Sequence, residues 1–385
     1  MKKAVINAKG MRRVRGGHPW VFRSDVLSVD AESGDAVCVF DEKGRNAGMA
    51  FYSAPSQITL RFFDRNHVDT PPAYFTAKLA RAAALRHKLY PGAEAVRLCF
   101  GESDGVPALV IDRYGPVAAI QTLAPGPERL KDAIADWCLT LPGVTAVVER
   151  NDPKVRGLEG LPILSGALRG TVPAGCAIVE GGVRLPVDVL KGQKTGAFLD
   201  QRDNRDLAAA HARGRVLDAF CYHGWFSLRA AGTAEKVLAL DVSEDAVKAV
   251  AATAAALGLA NVEAVCANAF DYLRECDLRG EMFDAVILDP PAFAKHKGAL
   301  DAAKRGYKEI NLRAMKVLKP GGLLFTFSCS YHVDEALFHA TVLDAAADAG
   351  RRAFVLRRLA QALDHPVLMG FPESAYLKGL MLRVE

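Results

Sequence analysis

The sequence predicts an α/β fold over its carboxyl-terminal half, a parallel sheet covered by helices on both faces. Three observations carry this. From about residue 185, apolar strand-like runs recur: RVLDAF, KVLALDV, VEAVCAN, FDAVILD and GGLLFTFS. Between them lie segments of helical period, such as SEDAVKAVAATAAALGL and AKRGYKEINLRAMKVL. Two more strand-like runs, RRAFVLRRL and KGLMLRV, close the chain without an evident long helix between them. Continuously apolar strands separated by helices mark a parallel sheet buried on both faces. The closing pair is expected to place a reversed strand at the end of the strand order.

Two further units precede this one. Residues 1–70 hold short β-like runs, VFRSDVLSVD, DAVCVFD, NAGMAFY and ITLRFF, separated by Gly, Asp and Ser turns, which predicts a small β-rich module. Thr70-Pro71-Pro72 reads as a linker. Residues 74–184 mix types, with helical FTAKLARAAALRHKLY, the strand–turn–strand segment VRLCFGESDGVPALVIDRYGPVAAIQTL, helical ERLKDAIADWCLTL and the strand TAVVER. A central α+β domain follows from that pattern, ending in a Gly- and Pro-rich stretch over 151–182. The regular alternation occupies 185–385. No internal repeat and no low-complexity tract interrupts the chain.

Composition bounds the function. Half of the 385 residues are hydrophobic and a quarter charged, as in ordinary globular proteins. The start, MKKAVINAKGMRRV, is basic but lacks the apolar core of a secretory signal. Nowhere do the roughly 18 consecutive apolar residues of a membrane span occur, so no membrane partner is expected. Eight scattered cysteines form no C-x-x-C pair, which argues for reduced core thiols rather than a disulfide frame or a zinc site. The expected compartment is the cytoplasm, with no metal.

Net charge is only +5, but Lys2, Lys3, Lys9, Arg12, Arg13, Arg15 and Arg23 all precede the first acidic residue, Asp25. Such a cluster can neutralise phosphates and guide a nucleic acid, or simply be a solvated surface. His18-Pro19-Trp20 beside it offers a base-stacking aromatic; the plainer reading is a turn with a core tryptophan.

The first strand of the α/β unit ends in Asp218-Ala219-Phe220-Cys221-Tyr222-His223-Gly224-Trp225. A dinucleotide needs G-x-G-x-x-G there, because its pyrophosphate must touch backbone amides. A single glycine disfavours NAD or FAD. S-adenosylmethionine has no phosphates and needs one tight turn. Asp218 could take its amino group, with Phe220 and Gly224 in the same turn. Asp241 ends the second strand, where an acid can hold ribose hydroxyls, and Asn268 ends the third, where it could meet the adenine edge. Each alone is as readily a loop cap; three at successive strand ends favour S-adenosylmethionine.

Two later strand ends carry Asp289-Pro290-Pro291 and Ser328-Cys329-Ser330. Ligands bind at the carboxyl ends of parallel strands, so a carboxylate and a thiol meet there. Carbon 5 of a pyrimidine is a weak nucleophile. A thiolate adding at carbon 6 enriches carbon 5 and divides a hard methylation into easier steps. Cys329 is the candidate nucleophile, and Asp289 the group that grips the base edge and steadies the developing charge; Asp289 is also expected among the cofactor-binding residues. The two prolines bias Asp289 to extended geometry. A D-P-P turn also serves methylation of an exocyclic amino group; Cys329 favours carbon. His296 and His332 flank these motifs without an evident role.

With these motifs in hand, the chain resembles the bacterial large-subunit ribosomal RNA cytosine-5 methyltransferases. Those join an amino-terminal PUA domain to a Rossmann-like class I methyltransferase domain. The resemblance runs almost end to end: AKG near the start, HPWVF, GESDGVPALVIDRYG, KTGAFLDQRDNR, LDPPAF, RGYKEIN, FSCS, DHPV and YLKG. It implies RNA binding by the first module (Lys9, Arg12, Arg13, Arg15, His18, Trp20), S-adenosylmethionine as cofactor and Cys329 as nucleophile. By position it adds Phe198, Gln201 and Arg202 to the cofactor pocket. The chain departs from the family in having Trp225, not a second glycine, after Gly224, and Asn268 in place of aspartate. The indole either crowds the methionine moiety or packs on the far side. The expected function is methylation of carbon 5 of a cytosine in large-subunit ribosomal RNA. The alternatives are amino-group methylation of an RNA base and a non-catalytic RNA-binding or ribosome-assembly factor. An edge strand or the turn-rich centre offers a homodimer contact.

Overall fold

The computed structural model describes residues 2–294 and 297–385, arranged as two compact units. One comprises the chain up to Glu180 with Pro186–Leu199 and Leu363–Ser374. The other comprises Gly181–Leu185, Asp200–Ala362 and Ala375–Glu385.

The first unit holds a six-stranded and a five-stranded sheet. In spatial order the six strands are Trp20–Val21, Leu60–Asp64, Asn46–Tyr52, Ala36–Asp41, Lys3–Ile6 and Val26–Asp30. The helix Ala8–Arg15 packs here through Gly10, Met11 and Val14. Asn7 caps it, its side chain accepting the Gly10 N–H at 2.9 Å. The 3.6-residue period leaves Lys9, Arg12 and Arg15 exposed. The five-stranded sheet runs Leu164–Arg169, Ala146–Asn151, Val117–Thr122, Leu109–Tyr114, Ala95–Phe100. Pro71 and Pro72 open the helix Pro72–Leu89, where a missing N–H costs nothing.

The second unit carries the alternation. Its strands are β1 (Arg215–Ala219), β2 (Lys236–Asp241), β3 (Val262–Cys266), β4 (Phe283–Leu288), β5 (Leu318–Ser328), β6 (Ala353–Ala360) and β7 (Lys378–Val384). Its helices are α1 (Arg202–His211), α2 (Trp225–Ala230), α3 (Glu244–Ala256), α4 (Ala269–Arg279), α5 (Leu300–Lys316) and α6 (Glu335–Asp348). The sheet order is β3-β2-β1-β4-β5-β7-β6. β1 to β5 pair in parallel, whereas β7 is antiparallel to both β5 and β6. The reversed strand therefore lies inside the order and not at its end. The crossover through α6 sets β6 two places beyond β5, and β7 fills the slot between them.

Side chains of a strand alternate between faces. Val286 and Leu288 of β4 join Leu217, Tyr307, Met315 and Phe338 in one core. Ala285 and Ile287 join Phe226, Phe325, Phe327 and Met381 in the other. Both faces of β4 are covered, so it reads as an unbroken apolar run. Phe325, fully buried on β5, anchors the second core. We expect Phe325→Ala to cost about 3–5 kcal/mol, read as a lower urea midpoint for this unit.

Candidate active site

Asp218 ends β1 buried, and its Oδ2 accepts the Ser227 N–H at 3.0 Å and the Ser227 hydroxyl at 2.6 Å. Ser227 sits in the first turn of α2, where backbone N–H groups lack helical partners. Oδ1 has no hydrogen-bond partner among the described residues. Burial, reinforced by the charge of Asp289 and opposed by Ser227, pushes this carboxyl up to about 7. A buried carboxylate oxygen without a donor is suited to an incoming ammonium.

The turn after β1 is wound left-handed at three residues, Phe220 (φ 68°), Tyr222 (φ 49°) and Gly224 (φ 72°). Such backbone costs on the order of 1 kcal/mol or more at a non-glycine residue and persists only when its surroundings enforce it. Here the Cys221 N–H donates to the Leu240 carbonyl at 2.9 Å, and the Tyr222 N–H to Asp241 Oδ2 at 2.9 Å. Asp241 also accepts the Ser243 N–H at 2.9 Å. It thus pins the turn while staying half-buried at the end of β2. At Gly224 a Cβ would stand 2.7 Å from Val250 Cγ2, so no side chain fits. Trp225 is buried, with the Arg205 guanidinium 5.0 Å from its ring centroid.

Asn268 is exposed and caps α4, its side-chain oxygen accepting the N–H groups of Phe270 (2.9 Å) and Asp271 (3.4 Å). Gln201 and Arg202, both buried, lie at the start of α1. Gln201 accepts from Asn204 at 2.6 Å, and its amide nitrogen has no hydrogen-bond partner among the described residues. Phe198 belongs to the first unit, where the Lys194 ammonium stands 4.5 Å from its ring centroid.

Asp289, half-buried, follows β4, and the Pro290 carbonyl lies 4.0 Å from Cys329 Sγ. The two motifs therefore adjoin. Six of the eight cysteines are buried, and burial pushes every one of those thiols up. Cys266 is exposed, and Cys329, half-buried, stands at the carboxyl end of β5. Its neighbours are anchored: Ser330 Oγ accepts the Ala294 N–H at 3.2 Å and meets the Tyr307 hydroxyl at 2.9 Å. His332 is half-buried and edge-on to the exposed Tyr331. His296 lies outside the described residues. The residue-by-residue reading missed Ser227, Tyr307 and Lys378. The one visible signal was Lys378, a lysine opening the largely apolar strand KGLMLRV.

In the first unit, Arg13 stacks on Phe22 at 4.6 Å and stands 3.9 Å from buried Asp25. His18 Nε2 lies 3.2 Å from both Glu373 oxygens. The Trp20 indole N–H donates to Glu102 at 2.7 Å, and its ring packs edge-on against Phe371.

Among the described residues no cluster of His, Cys, Asp or Glu could hold a metal ion, and no helix is long and apolar enough to cross a membrane. Residues 5–65 match a PUA-like domain, and residues 164–383 match the S-adenosylmethionine-dependent methyltransferase family. A protein of Photobacterium profundum named "Ribosomal RNA large subunit methyltransferase I" is 41% identical over 398 residues, with 100% of each chain covered. The chain belongs to the ribosomal RNA large subunit methyltransferase I family. A namesake from Aeromonas hydrophila is 40% identical over 395 residues, again with 100% of each covered. In this family member the cofactor is S-adenosylmethionine and the reaction is methyl transfer. The fold recurs in a candidate methyltransferase solved with S-adenosylhomocysteine (TM-score 0.86, 21% identity, 100% of each chain). It also recurs in a candidate methyltransferase from Streptococcus mutans (TM-score 0.84, 21% identity, 100% of each chain).

The raised carboxyl of Asp218 makes a stability prediction. In the unfolded chain it ionises near its ordinary value, about pH 4, whereas in the folded protein it holds its proton to about 7. Its destabilising contribution therefore grows between those values and is complete above them. Asp218→Asn is expected to raise the melting temperature of the ligand-free protein by about 2–4 °C at pH 8 and by little near pH 4. Calorimetric melts across that range check it.

Proposed function

We propose that this methyltransferase acts on large-subunit ribosomal RNA and methylates carbon 5 of a cytosine through a covalent Cys329 adduct. The supporting observation is the adjacency of Cys329 to the Asp289-Pro290 turn, at the carboxyl ends of neighbouring parallel strands. The substrate class follows the names of relatives that match this chain end to end.

Asp218, through its unpartnered Oδ1, would hold the ammonium of S-adenosylmethionine, with the Phe220–Gly224 turn and Asp241 enclosing its adenosine side. Gln201 offers an unpartnered amide, with Arg202 beside it on α1. Asn268 is left with its cap, since two N–H groups already occupy its oxygen. When bound, S-adenosylmethionine supplies an electrophilic methyl group. The Cys329 thiolate forms a bond to carbon 6 as the 5,6 double bond opens and its electron pair moves to carbon 5. The Asp289 carboxyl grips the N3 and amino edge of the base, where charge builds. Once carbon 5 carries the methyl group, loss of its proton restores the double bond, and the sulfur–carbon bond breaks with its pair returning to Cys329.

The non-catalytic reading rested on Trp225, which is buried beside Arg205. Amino-group methylation would keep Asp289 essential and make Cys329 dispensable. Cys329→Ala is therefore expected to lower turnover at least about a hundredfold while calorimetry finds S-adenosylmethionine binding unchanged. Near-normal turnover would overturn the carbon-5 reading.

In the first unit, Lys9, Arg12 and Arg15 form the exposed basic stripe suited to RNA phosphates. His18 and Trp20 make the edge of that surface, their polar atoms held by Glu373 and Glu102. Replacing the three cations by glutamate is expected to weaken RNA binding at least tenfold, and to reduce the slope of log affinity against log salt by about 2. Titrations at several salt concentrations check it.

A further inference from the structure

β7 runs antiparallel to β5 with Lys378 opposite Ser328, one residue before Cys329. Lys378 is 9% exposed, and its ammonium donates to the Ser330 carbonyl at 2.8 Å, one residue after Cys329. Lys378 thus flanks the cysteine from both sides of the turn. No carboxylate among the described residues pairs with it at ion-pair distance, although a buried ammonium without an anion costs several kcal/mol.

The charged and titratable groups around it are few. Cys329 and Asp334, the latter capping α6, act on it electrostatically. Tyr307 of α5 reaches Ser330 with its hydroxyl, and burial raises that phenol so that it stays neutral. The Tyr376 hydroxyl donates to Asp200 at 2.6 Å. Asp289 and His332 stand on the adjoining turns. Burial lowers the Lys378 ammonium on balance, and negative charge on Cys329 and Asp334 offsets part of that shift.

We propose that Lys378 is the positioning residue that holds Cys329 as a thiolate. The inference rests on the reading of Cys329 as nucleophile. The cysteine proton leaves to solvent, and the ammonium keeps its own. When sulfur bonds to carbon 6 it becomes a neutral thioether, so the ammonium loses its anion. When that bond breaks, the electron pair returns to sulfur beside a waiting cation. Lys378 thereby favours both the formation of the nucleophile and its release. Its bond to the Ser330 carbonyl fixes the turn that carries the sulfur.

The test is the pH dependence of iodoacetamide alkylation, followed peptide by peptide by mass spectrometry in the full-length protein. Exposed Cys266 is the reference thiol within the same chain. In the unmodified protein Cys329 is expected to have the lower midpoint; a Cys329 midpoint at or above that of Cys266 overturns the proposal without any variant. Lys378→Met is expected to raise the Cys329 midpoint and slow its alkylation at pH 7 about five- to tenfold, leaving Cys266 unchanged. Lys378→Arg should restore most of the rate. An unmoved midpoint in folded Lys378→Met overturns the proposal. Turnover by Cys329→Ala would defeat the nucleophile reading instead, because the alkylation midpoints report on the ion pair alone.

Discussion

Parallel pairing in register is the constraint on which the rest of the second unit depends. Ala219 lies opposite Leu288, and Leu288 opposite Thr326, so β1, β4 and β5 deliver their carboxyl ends to one edge. Asp218, Asp289 and Cys329 are therefore neighbours although they are far apart in sequence. β2 adds Asp241 to the same edge through its parallel pairing with β1. A one-residue slip in any of these pairings would turn the side chains to the opposite face. The double burial of β4 and β5 forbids such a slip, because every residue of the shifted strand would meet the wrong core.

Against that rigid frame the site concentrates unfavourable terms. Among the described residues, Asp218 keeps one buried oxygen without a donor, Phe220 and Tyr222 are wound left-handed, and Lys378 buries an ammonium without a carboxylate partner. None of these stabilises the ligand-free fold. Each makes chemical sense with a partner: a cation for Asp218, a cofactor against the turn, a thiolate for Lys378. Stability sacrificed at a binding site is a recurrent trade in enzymes. Here the surrounding network supplies the support, from Asp241 holding the turn to Ser227 holding Asp218.

Much of this was legible in the sequence because the strands are continuously apolar and the helices periodic. The β/α alternation, the lone-glycine turn and the strand-end motifs are local patterns. The position of β7 was not legible, since its slot exists only after α6 has carried β6 two places outward. Asn268 illustrates a second limit. An asparagine after a strand reads equally as a ligand or as a cap, and only the N–H groups of Phe270 and Asp271 show which of its atoms is engaged. Trp225 is buried beside Arg205, a contact between two helices that no local pattern encodes. Lys378 escaped notice because its meaning lies in the register between two strands fifty residues apart, which no local pattern encodes.

The central claim is carbon-5 methylation of a ribosomal cytosine. Its most direct measurement is incubation of the protein with methyl-labelled S-adenosylmethionine and unmodified large-subunit ribosomal RNA, followed by nucleoside mass spectrometry. The account predicts label in 5-methylcytidine. Label confined to a base methylated on its amino group would contradict it, leaving Cys329 a packing residue and Asp289 the group that matters.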